Sequence, residues 1–431
     1  MESVTRSRLD RWLLRQVHAA IGAPAFSLQL GEACDDIGPD GEAELAVRFH
    51  SRLALLRVLL DPETGFGDGY SCGDIAVSGD LLEGLDSVYR TVQDGRCGGW
   101  LSKPVSWTLN VLQKHDQRGS EENARRHYDF GESFYKLWLD RQLVYSCAYY
   151  PVPDLNLEQA QIAKMDHVCR KLQLARDERV VEAGCGWGAQ ALFMARHYGV
   201  KVTAFNLSHE QIRYARWRAQ QEGLEHRVEF VEDDYRNIGG GYDAFLSIGM
   251  LEHVGREHYS SLGQAIHNAI GSRGRGLLHF IGRSYPQALS TWIRSRIFPG
   301  AYAPTLGECT SILEPHRFAV LDVENLRPHY ANTLAEWLLR FDSARNEMLS
   351  TVDEAFLRAW RLYLAGSLVA FRTGTLQLFQ VSFAGQDYPH APWTREHLYT
   401  THAAVPESRD LRTHQPQSGD RSRTRWTPAM S

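Results

Sequence analysis

Three things that the sequence lacks narrow the class of protein. The 431 residues carry a formal net charge of −5, so the chain has none of the basic excess with which proteins bind phosphate backbones, and we expect no nucleic-acid partner. The seven cysteines are scattered without a C-x-x-C pair, which predicts neither a metal site nor a disulfide framework. No apolar run approaches the ~20 residues of a membrane span, and the first residues lack a signal-type apolar run, so a cytoplasmic protein is expected.

Composition changes along the chain predict its divisions. Residues 1–92 alternate short apolar runs with acids and glycines and predict a small α+β domain. Within it, Leu9–Ile21 has helical spacing, and the glycine-rich stretch 65–74 predicts turns. We expect three further divisions: a linker at 93–120, the main domain at 121–385 and a polar, disordered tail at 386–431.

The main domain alternates predicted strands with predicted helices. Helices such as Ser208–Glu222, which begins with a serine cap, lie between the strands. This alternation predicts an α/β fold with a doubly wound, mostly parallel sheet. The predicted strands are Val180–Ala183, Lys201–Phe205, Val228–Glu232, Ala244–Ile248 and Gly276–Ile281.

A glycine-rich loop, V-V-E-A-G-C-G-W-G at 180–188, follows the first of these strands. Glycine has no Cβ and tolerates positive φ, so such a loop lets the backbone approach a nucleotide-like cofactor closely. No Lys-Ser/Thr follows and the last glycine is not spaced as in a dinucleotide fingerprint, which favours S-adenosylmethionine (SAM) over a bare structural turn. The expected cofactor contacts here are Glu182, which would take an amino group, and Gly184, Gly186 and Gly188.

Two later strand ends carry further candidate cofactor residues. Asn206 and Leu207 end the second strand, where an acceptor for ribose hydroxyls is expected, and Gln211 would supplement them. Asp234 and Tyr235 follow the third strand, where they would contact the adenine. The alternatives are a helix cap with a solvated face at the second strand and a charged turn at the third.

Several motifs occur in a specific order beyond the glycine loop. They are H-Y-D-F-G-E-S-F-Y-K-L-W-L-D (127–140), L-V-Y-S-C-A-Y-Y-P (143–151), S-I-G-M-L-E-H-V-G (247–255), L-L-H-F-I-G-R (277–283), I-F-P-G (297–300) and R-P-H-Y-A-N-T-L-A-E-W (327–337). With them the chain resembles the cyclopropane-fatty-acyl-phospholipid synthases and their mycolic-acid cyclopropane and methyltransferase relatives. The resemblance implies a class I SAM-methyltransferase, a Rossmann-like doubly wound sheet with a small α+β N-terminal domain for lipid presentation or dimerisation.

The resemblance also implies a chemistry. The alkene of an unsaturated acyl chain attacks the SAM methyl, and bound bicarbonate removes a proton from the resulting cation so that the cyclopropane closes. The residues that match the family's bicarbonate site are Cys147, Glu252, His279, Ile281 and Tyr330, with Cys147 and Ile281 expected to contribute backbone groups. Tyr145 and Ser146 would reach the methionine moiety of SAM, and Tyr145, Phe280 or Trp337 would stabilise the cation through their ring faces.

Plainer interpretations stand beside these. Cys147 is also compatible with a small buried residue and His279 with a core histidine, while His253 and Gly255 are interpreted as loop packing. Two segments depart from the family pattern. The first is the entry lid over SAM, which His127, Tyr128 and Asp129 would order; its sequence is G-E-S-F-Y rather than G-N-D-F-Y. The second is the glycine loop, where Glu182 replaces the commoner aspartate.

The implied partner is unsaturated phospholipid in a bilayer, which the protein would contact peripherally at the inner face of the membrane, with a homodimer as a further expectation. The insert Thr291–Pro304 mixes apolar side chains with arginines and suits an interface with anionic phospholipid or a cap over the acyl pocket, two roles that are compatible.

Three alternatives to a cyclopropane synthase remain: a fatty-acyl C-methyltransferase that makes methylene- or methyl-branched lipids, an amine N-methyltransferase and a non-catalytic lipid-binding module.

Overall fold

The structure, a computed structural model, describes residues 8–21, 26–31, 45–94 and 131–399. In the N-terminal part, a three-stranded sheet in the order β1-β2-β3 pairs β1 with β2 in parallel and β2 with β3 antiparallel. The described residues of this part also form four helices, of which α1, α2 and α3 contact the sheet. The elements are α1 (Arg8–Ala20), β1 (Ser27–Leu30), β2 (Ala46–Phe49), α2 (Arg52–Leu60), α3 (Pro62–Cys72), β3 (Ile75–Ser78) and α4 (Leu81–Gln93).

The prediction of turns at 65–74 is wrong for residues 65–72, which belong to the helix Pro62–Cys72, and is confirmed only at 73–74. Asp61 caps this helix by accepting from the Thr64 N–H, and its glycines serve close packing rather than chain reversal. A Cβ on Gly65 would lie 2.5 Å from the carbonyl oxygen of Arg57, and one on Gly67 would lie 2.3 Å from the Trp292 ring. The helical spacing of Leu9–Ile21 is confirmed by α1.

The main part is built on a seven-stranded sheet in the order β6-β5-β4-β7-β8-β10-β9. Strands β4 to β8 are mutually parallel, and β10 pairs antiparallel with both β8 and β9. The strands are β4 (Arg179–Ala183), β5 (Lys201–Asn206), β6 (Val228–Glu232), β7 (Ala244–Ile248), β8 (Arg275–Gly282), β9 (Phe318–Asn325) and β10 (Gln377–Gly385).

Helices cover both faces of this sheet, which confirms the doubly wound α/β fold. The helices are α5 (Gly131–Tyr135), α6 (Leu157–Lys171), α7 (Ala189–Phe193), α8 (His209–Gln221), α9 (Leu251–Val254), α10 (Tyr259–Ile270), α11 (Leu306–Leu313), α12 (Arg327–Met348) and α13 (Glu354–Thr373). There are also two π-helical turns in the described residues: Met194–Tyr198 directly follows α7, and Ile293–Ile297 lies in the insert Thr291–Pro304. No helix of the described ranges is both long and apolar enough to cross a bilayer.

The five predicted parallel strands are confirmed, whereas β9 and β10 were not predicted. The N-terminal part packs on the main part chiefly through α3 and α4 against α13. Most of the predicted linker, the lid residues His127, Tyr128 and Asp129, and the tail beyond 399 lie outside the described residues. The start of the predicted disordered tail differs from expectation, because Leu398 is buried and accepts a hydrogen bond from Arg170.

Candidate active site

A cavity of about 190 Å³ lies at the carboxyl ends of strands β4 to β7, and we call it the strand-end cavity. This edge is where open α/β sheets bind ligands. The side chains and backbone that line it include all but one of the predicted cofactor residues: Tyr145, Ser146, Glu182, Gly184, Gly186, Asn206, Leu207, Gln211, Asp234 and Tyr235.

The exception is Gly188, whose role in the glycine loop differs from that of Gly186. Gly184, Gly186 and Gly188 have φ values of +84°, +53° and +83°, a region that favours glycine. A Cβ on Gly188 would lie 2.8 Å from Ala215 of α8 and from Phe230 of β6, whereas one on Gly186 would meet nothing within 4 Å. Gly188 therefore permits helix–strand packing, and Gly186 borders the open space of the strand-end cavity.

A buried acid and a buried base face this cavity together. Burial raises the pKa of Glu182 to about 8, an effect that the positive charge of Lys164 opposes, and Glu182 Oε2 has no hydrogen-bond partner among the described residues. Burial lowers the pKa of Lys164 to about 8, and its Nζ donates to Ser146 Oγ at 3.2 Å. A carboxyl group and an amine that line the same cavity suit the zwitterionic end of an amino acid.

Lys164 was not predicted from the sequence. It lies on α6 among Leu157, Ala160, Gln161 and Val168, which are all buried, so it occupies the apolar stripe of that helix. A lysine at such a position is rare unless its charge is used or paired, and that was the available signal.

Asn206 and Gln211 form one unit at the end of β5. The Asn206 side-chain amide donates to Gln211 Oε1 at 2.7 Å and to the Gly186 carbonyl at 3.3 Å, while its Oδ1 accepts from the Leu207 N–H. These bonds fix the orientation of both amides and tie the end of β5 to the glycine loop.

Asp234 and Tyr235 line the cavity, but Asp234 is already engaged. Its Oδ1 accepts from the Arg236 N–H at 2.9 Å and its Oδ2 pairs with the Arg236 guanidinium at 3.0 Å. The carboxylate is thus the cap of a charged 3₁₀ turn, which is the plainer interpretation. Tyr235 presents its ring to the cavity, with the Arg236 guanidinium 4.9 Å from the ring centroid.

The segment 143–151 reaches the site because a buried aspartate shapes its start. Asp140 accepts from the Gln142 and Val144 N–H groups at 2.8 Å each, and this turn holds Leu143 at a φ of +57°. Beyond it, Tyr145 lies against the rings of Tyr135, Trp138 and Trp337 at centroid distances of 5.6, 5.4 and 5.4 Å.

A second cavity of about 1230 Å³, which we call the large cavity, has a mostly apolar lining. All five predicted bicarbonate-site residues line it: Cys147, Glu252, His279, Ile281 and Tyr330. Its far wall is formed by side chains of the N-terminal part, including Trp12, Leu28, Phe49, Phe66 and Leu85. It shares five lining residues with the strand-end cavity, Tyr145, Ser146, Gly249, His253 and Phe298, so the two cavities meet there.

Glu252 is the acceptor of this group. Its Oε1 accepts from the Ile281 N–H at 2.6 Å, and its Oε2 is buried without a partner among the described residues. Burial raises the pKa of Glu252 to about 7, and the hydrogen bonds from the Ile281 and Glu252 backbone partly offset this. The backbone N–H of Ile281, which was expected to contribute a backbone group to this site, orients Glu252.

His279 is a neutral donor at the same wall. Burial and the positive charges of Lys164 and Lys171 lower its pKa well below the ordinary value. The Gln380 amide nitrogen lies 3.0 Å from His279 Nδ1, and in this amide assignment Nδ1 accepts and the ring proton sits on Nε2. His279 Nε2 has no partner among the described residues, so the pair Glu252 and His279 offers an acceptor and a donor for one small anion.

Cys147 and Tyr330 complete the wall. Burial raises the pKa of the Cys147 thiol, whose Sγ donates to the Ala148 carbonyl, so it is no thiolate nucleophile. The Tyr330 ring packs 4.5 Å from Phe371 and 6.0 Å from Trp337.

Two further sequence interpretations need correction. Phe280 faces the opposite side of the sheet, where it packs on Phe379, because side chains alternate along β8. His253 lines both cavities and is more than loop packing.

The insert was expected to suit a membrane interface or a cap over the acyl pocket, and the two are compatible. Trp292 and Ile297 are only 4% and 5% exposed, so these two side chains belong to a cap. Asp68 of α3 holds that cap by accepting from Trp292 Nε1 and pairing with Arg296.

The chain is similar to known proteins over most of its length. Residues 115–381 match the family described as mycolic acid cyclopropane synthetase. A "Probable fatty acid methyltransferase" of Pseudomonas putida is 38% identical over 299 residues, which are 67% of this chain and 76% of that protein. The cyclopropane-fatty-acyl-phospholipid synthase of Escherichia coli K12 is 32% identical over 363 residues, 81% of this chain and 90% of that protein. The crystal structure of a mycolic acid cyclopropane synthase complexed with SAH and CTAB superposes with a TM-score of 0.58 at 28% identity, covering 61% of this chain and 97% of that chain.

Proposed function

The chain belongs to the mycolic acid cyclopropane synthetase family and is a SAM-dependent methyltransferase, and we propose that it is a cyclopropane-fatty-acyl-phospholipid synthase. It would transfer a methylene group from SAM to the cis double bond of an unsaturated phospholipid acyl chain. The observation that carries this proposal is the junction of the two cavities at Tyr145, Ser146, Gly249, His253 and Phe298. There a cofactor methyl and an acyl-chain alkene can meet away from bulk water.

The residues of the strand-end cavity fit SAM. Glu182 Oε2, which has no partner among the described residues, suits the ammonium group of the methionine moiety, and Lys164 suits its carboxylate. Gly186 leaves room for close approach, and Asn206 with Gln211 would bind the ribose. When bound, SAM supplies the electrophilic methyl group.

The large cavity suits a reaction that places positive charge on an acyl chain. Its apolar lining keeps nucleophiles away from that charge, and the ring of Tyr145, backed by Trp138 and Trp337, offers a π-face to it. The thiol of Cys147 stays protonated and so does not trap the cation. Loss of one proton from the transferred methyl then closes the ring.

The pair Glu252 and His279 fits bicarbonate. Their two buried atoms without a described partner, Glu252 Oε2 and His279 Nε2, provide one acceptor and one donor at the same wall, and the Tyr330 hydroxyl would add a donor. When bound, bicarbonate supplies the base. Glu252 holds the O–H proton of such an anion and so raises its basicity, while the donors keep it in place.

Arg283 supports a phospholipid as the substrate. It is 8% exposed, lines the mostly apolar large cavity and donates to Gln287 Oε1 at 2.8 Å, while its Nε has no partner among the described residues. It follows β8 two residues after Ile281, about 7 Å along the chain from the proposed reaction wall. A buried guanidinium in the lining of this cavity suits the phosphodiester of the lipid whose acyl chain fills the cavity.

We expect Arg283→Leu to raise KM for unsaturated phospholipid about 10- to 100-fold with a smaller effect on kcat, because a charge-assisted hydrogen bond to the bound ground state is lost. Arg283→Lys should recover part of the affinity. Steady-state kinetics measure both constants, and Arg372→Leu, at an exposed arginine of α13, is the matched control. An unchanged KM in the folded Arg283→Leu variant would remove the headgroup assignment.

The product test separates the proposed reaction from its relatives. We expect incubation with SAM and unsaturated phospholipid to give a product about 14 Da heavier than the substrate, because one CH₂ group is added. The NMR spectrum of this product should contain cyclopropane ring protons. A methylene-branched chain has the same mass and would show vinylic protons instead, which would identify a C-methyltransferase. Methylation of an added amine without lipid turnover would identify an N-methyltransferase.

We also propose that residues 1–92 serve lipid presentation, since their side chains supply the far wall of the large cavity. The substrate lies in a bilayer, so the reaction belongs at the inner face of the membrane, with peripheral contact.

A further inference from the structure

The first two helices expose apolar side chains in stripes. On α1, Leu9 and Trp12 are 53% and 55% exposed; on α2, Leu53, Leu56 and Leu60 are 56%, 41% and 65% exposed. Each helix already buries a separate apolar stripe against the N-terminal core, Leu13, Leu14 and Val17 on α1 and Ala54, Leu55 and Val58 on α2. The exposed stripes, Leu9 and Trp12 on α1 and Leu53, Leu56 and Leu60 on α2, are therefore separate from the stripes that pack in the core. Exposed apolar surface of this kind marks interaction sites.

The two stripes form one surface. The helices pack on each other, and an ion pair joins Arg52 and Asp10 at 2.6 Å, between the first turns of the two helices. Leu9 precedes Asp10 and Leu53 follows Arg52, so each stripe begins one residue away from this ion pair. We call this surface the α1–α2 face; it consists of Leu9, Trp12, Leu53, Leu56 and Leu60.

The charge around this face is opposite to that of the whole chain. The two helices together carry five arginines and one acidic residue, Asp10, whereas the chain has a net charge of −5. Asp10 is neutralised by Arg52, and Arg57 lies 3.6 Å from Asp74 of the neighbouring loop. Arg8, Arg11 and Arg15 are exposed beside Leu9 and Trp12, so apolar side chains and cations share one surface.

The α1–α2 face is continuous with the large cavity. Trp12 and Leu60 belong to the face and also line that cavity, and Gln16, Ala19 and Leu59 extend the lining from the same two helices. An acyl chain that enters past Trp12 and Leu60 would pass from the α1–α2 face directly into the large cavity.

We propose that the α1–α2 face docks on an anionic phospholipid bilayer and sets the mouth of the large cavity against the membrane. The proposal rests on the proposed function for the identity of the lipid substrate. Leucines and a tryptophan suit the acyl boundary, and arginines beside them suit anionic headgroups. A second copy seated on this face by two-fold symmetry would bring the same arginines towards each other, which is repulsive.

Binding to vesicles tests the docking face without any turnover. Sedimentation with vesicles of phosphatidylglycerol and phosphatidylcholine, in the absence of SAM, should show binding that exceeds binding to phosphatidylcholine alone. The double variant Leu53→Gln/Leu56→Gln should weaken the partition coefficient about tenfold, because two apolar side chains no longer enter the interface. The matched control is Leu339→Gln, a leucine of α12 that is 64% exposed.

A charge variant tests the electrostatic part of the docking. Arg8→Gln/Arg11→Gln/Arg15→Gln should weaken binding to the anionic vesicles about fivefold per arginine and should abolish the preference over phosphatidylcholine. Partition coefficients equal to those of the wild-type chain in both variants would overturn the proposal. The proposal would also be overturned if either variant bound vesicles like the wild-type chain but differed from it in oligomeric state by light scattering. The face would then join two copies of the chain. Vesicle binding through this face without lipid conversion would contradict the proposed function and leave the docking surface standing.

Discussion

Replacing Glu252 with glutamine is expected to lower kcat by about 10²–10⁴-fold while leaving the affinity for SAM unchanged. The amide oxygen can still accept from the Ile281 N–H, which now bonds to Glu252 Oε1 at 2.6 Å, so the fold and the orientation of residue 252 are kept. The amide nitrogen that replaces Oε2, however, is a donor and cannot accept a proton from a bound anion. Single-turnover kinetics would measure the chemical step and calorimetry the SAM affinity.

The pH profile adds an independent readout of the same group. Burial raises the pKa of Glu252 to about 7, and the ionised carboxylate is the accepting form, so kcat/KM of the wild-type enzyme should rise as the pH increases through about 7. Glu257→Gln, at an exposed glutamate nearby, should keep the wild-type rate and pH profile.

Removal of dissolved CO₂ should slow the wild-type enzyme, and added bicarbonate should restore its rate. A wild-type enzyme indifferent to bicarbonate, together with a Glu252→Gln variant of normal kcat, would exclude this mechanism and favour the N-methyltransferase.

The variant Gly186→Val is expected to weaken SAM binding by more than about 100-fold. Gly186 has a φ of +53°, which a β-branched residue adopts at a cost of about 1–3 kcal/mol, and the added side chain would enter open space beside the strand-end cavity. Since a Cβ there meets no protein atom within 4 Å, the loss falls on the ligand rather than on the packing.

Gly223→Val is the matched control for this substitution. Gly223 has a φ of +66° and equally open surroundings, but it lies after α8 and does not line the cavity. It should lose a similar amount of stability and keep its SAM affinity, as calorimetry and thermal unfolding would report. Wild-type SAM affinity in a folded Gly186→Val variant would remove the cofactor assignment.

The parallel strands could be predicted because each is a short apolar run that ends at a glycine or polar turn. Strand β9 begins with the apolar run F-A-V-L, but most of its residues are exposed or half-buried because it lies at the sheet edge, and β10 follows a long helix rather than a helix–turn unit. Neither strand therefore fits the regular strand–helix alternation by which the parallel strands were predicted. The glycines of α3 show a second limit. Glycine serves both turns and close approach, and only the positions of Arg57 and Trp292 in space reveal which use applies.

The candidate site shows the same division between local and tertiary information. Motif residues such as Glu252 and His279 were predicted because they occur in ordered patterns, whereas Lys164 was missed because it stands alone in its stretch of sequence. Arg283 ends the motif 277–283 but was missed because its burial in the lining of the large cavity is a tertiary property. The pairing of Asp234 with Arg236 and the burial of Trp292 depend on neighbours whose side-chain directions the sequence does not state.

The strand-end cavity is lined only by residues between 143 and 299, and within the described chain none of its lining comes from the N-terminal helices. Exchange of spent for fresh cofactor therefore does not require displacement of the described N-terminal helices, which form the far wall of the large cavity. An enzyme seated on a bilayer through α1 and α2 could then run as an interfacial processive catalyst. It would exchange one acyl chain for the next from the same leaflet and modify many lipids before it desorbs.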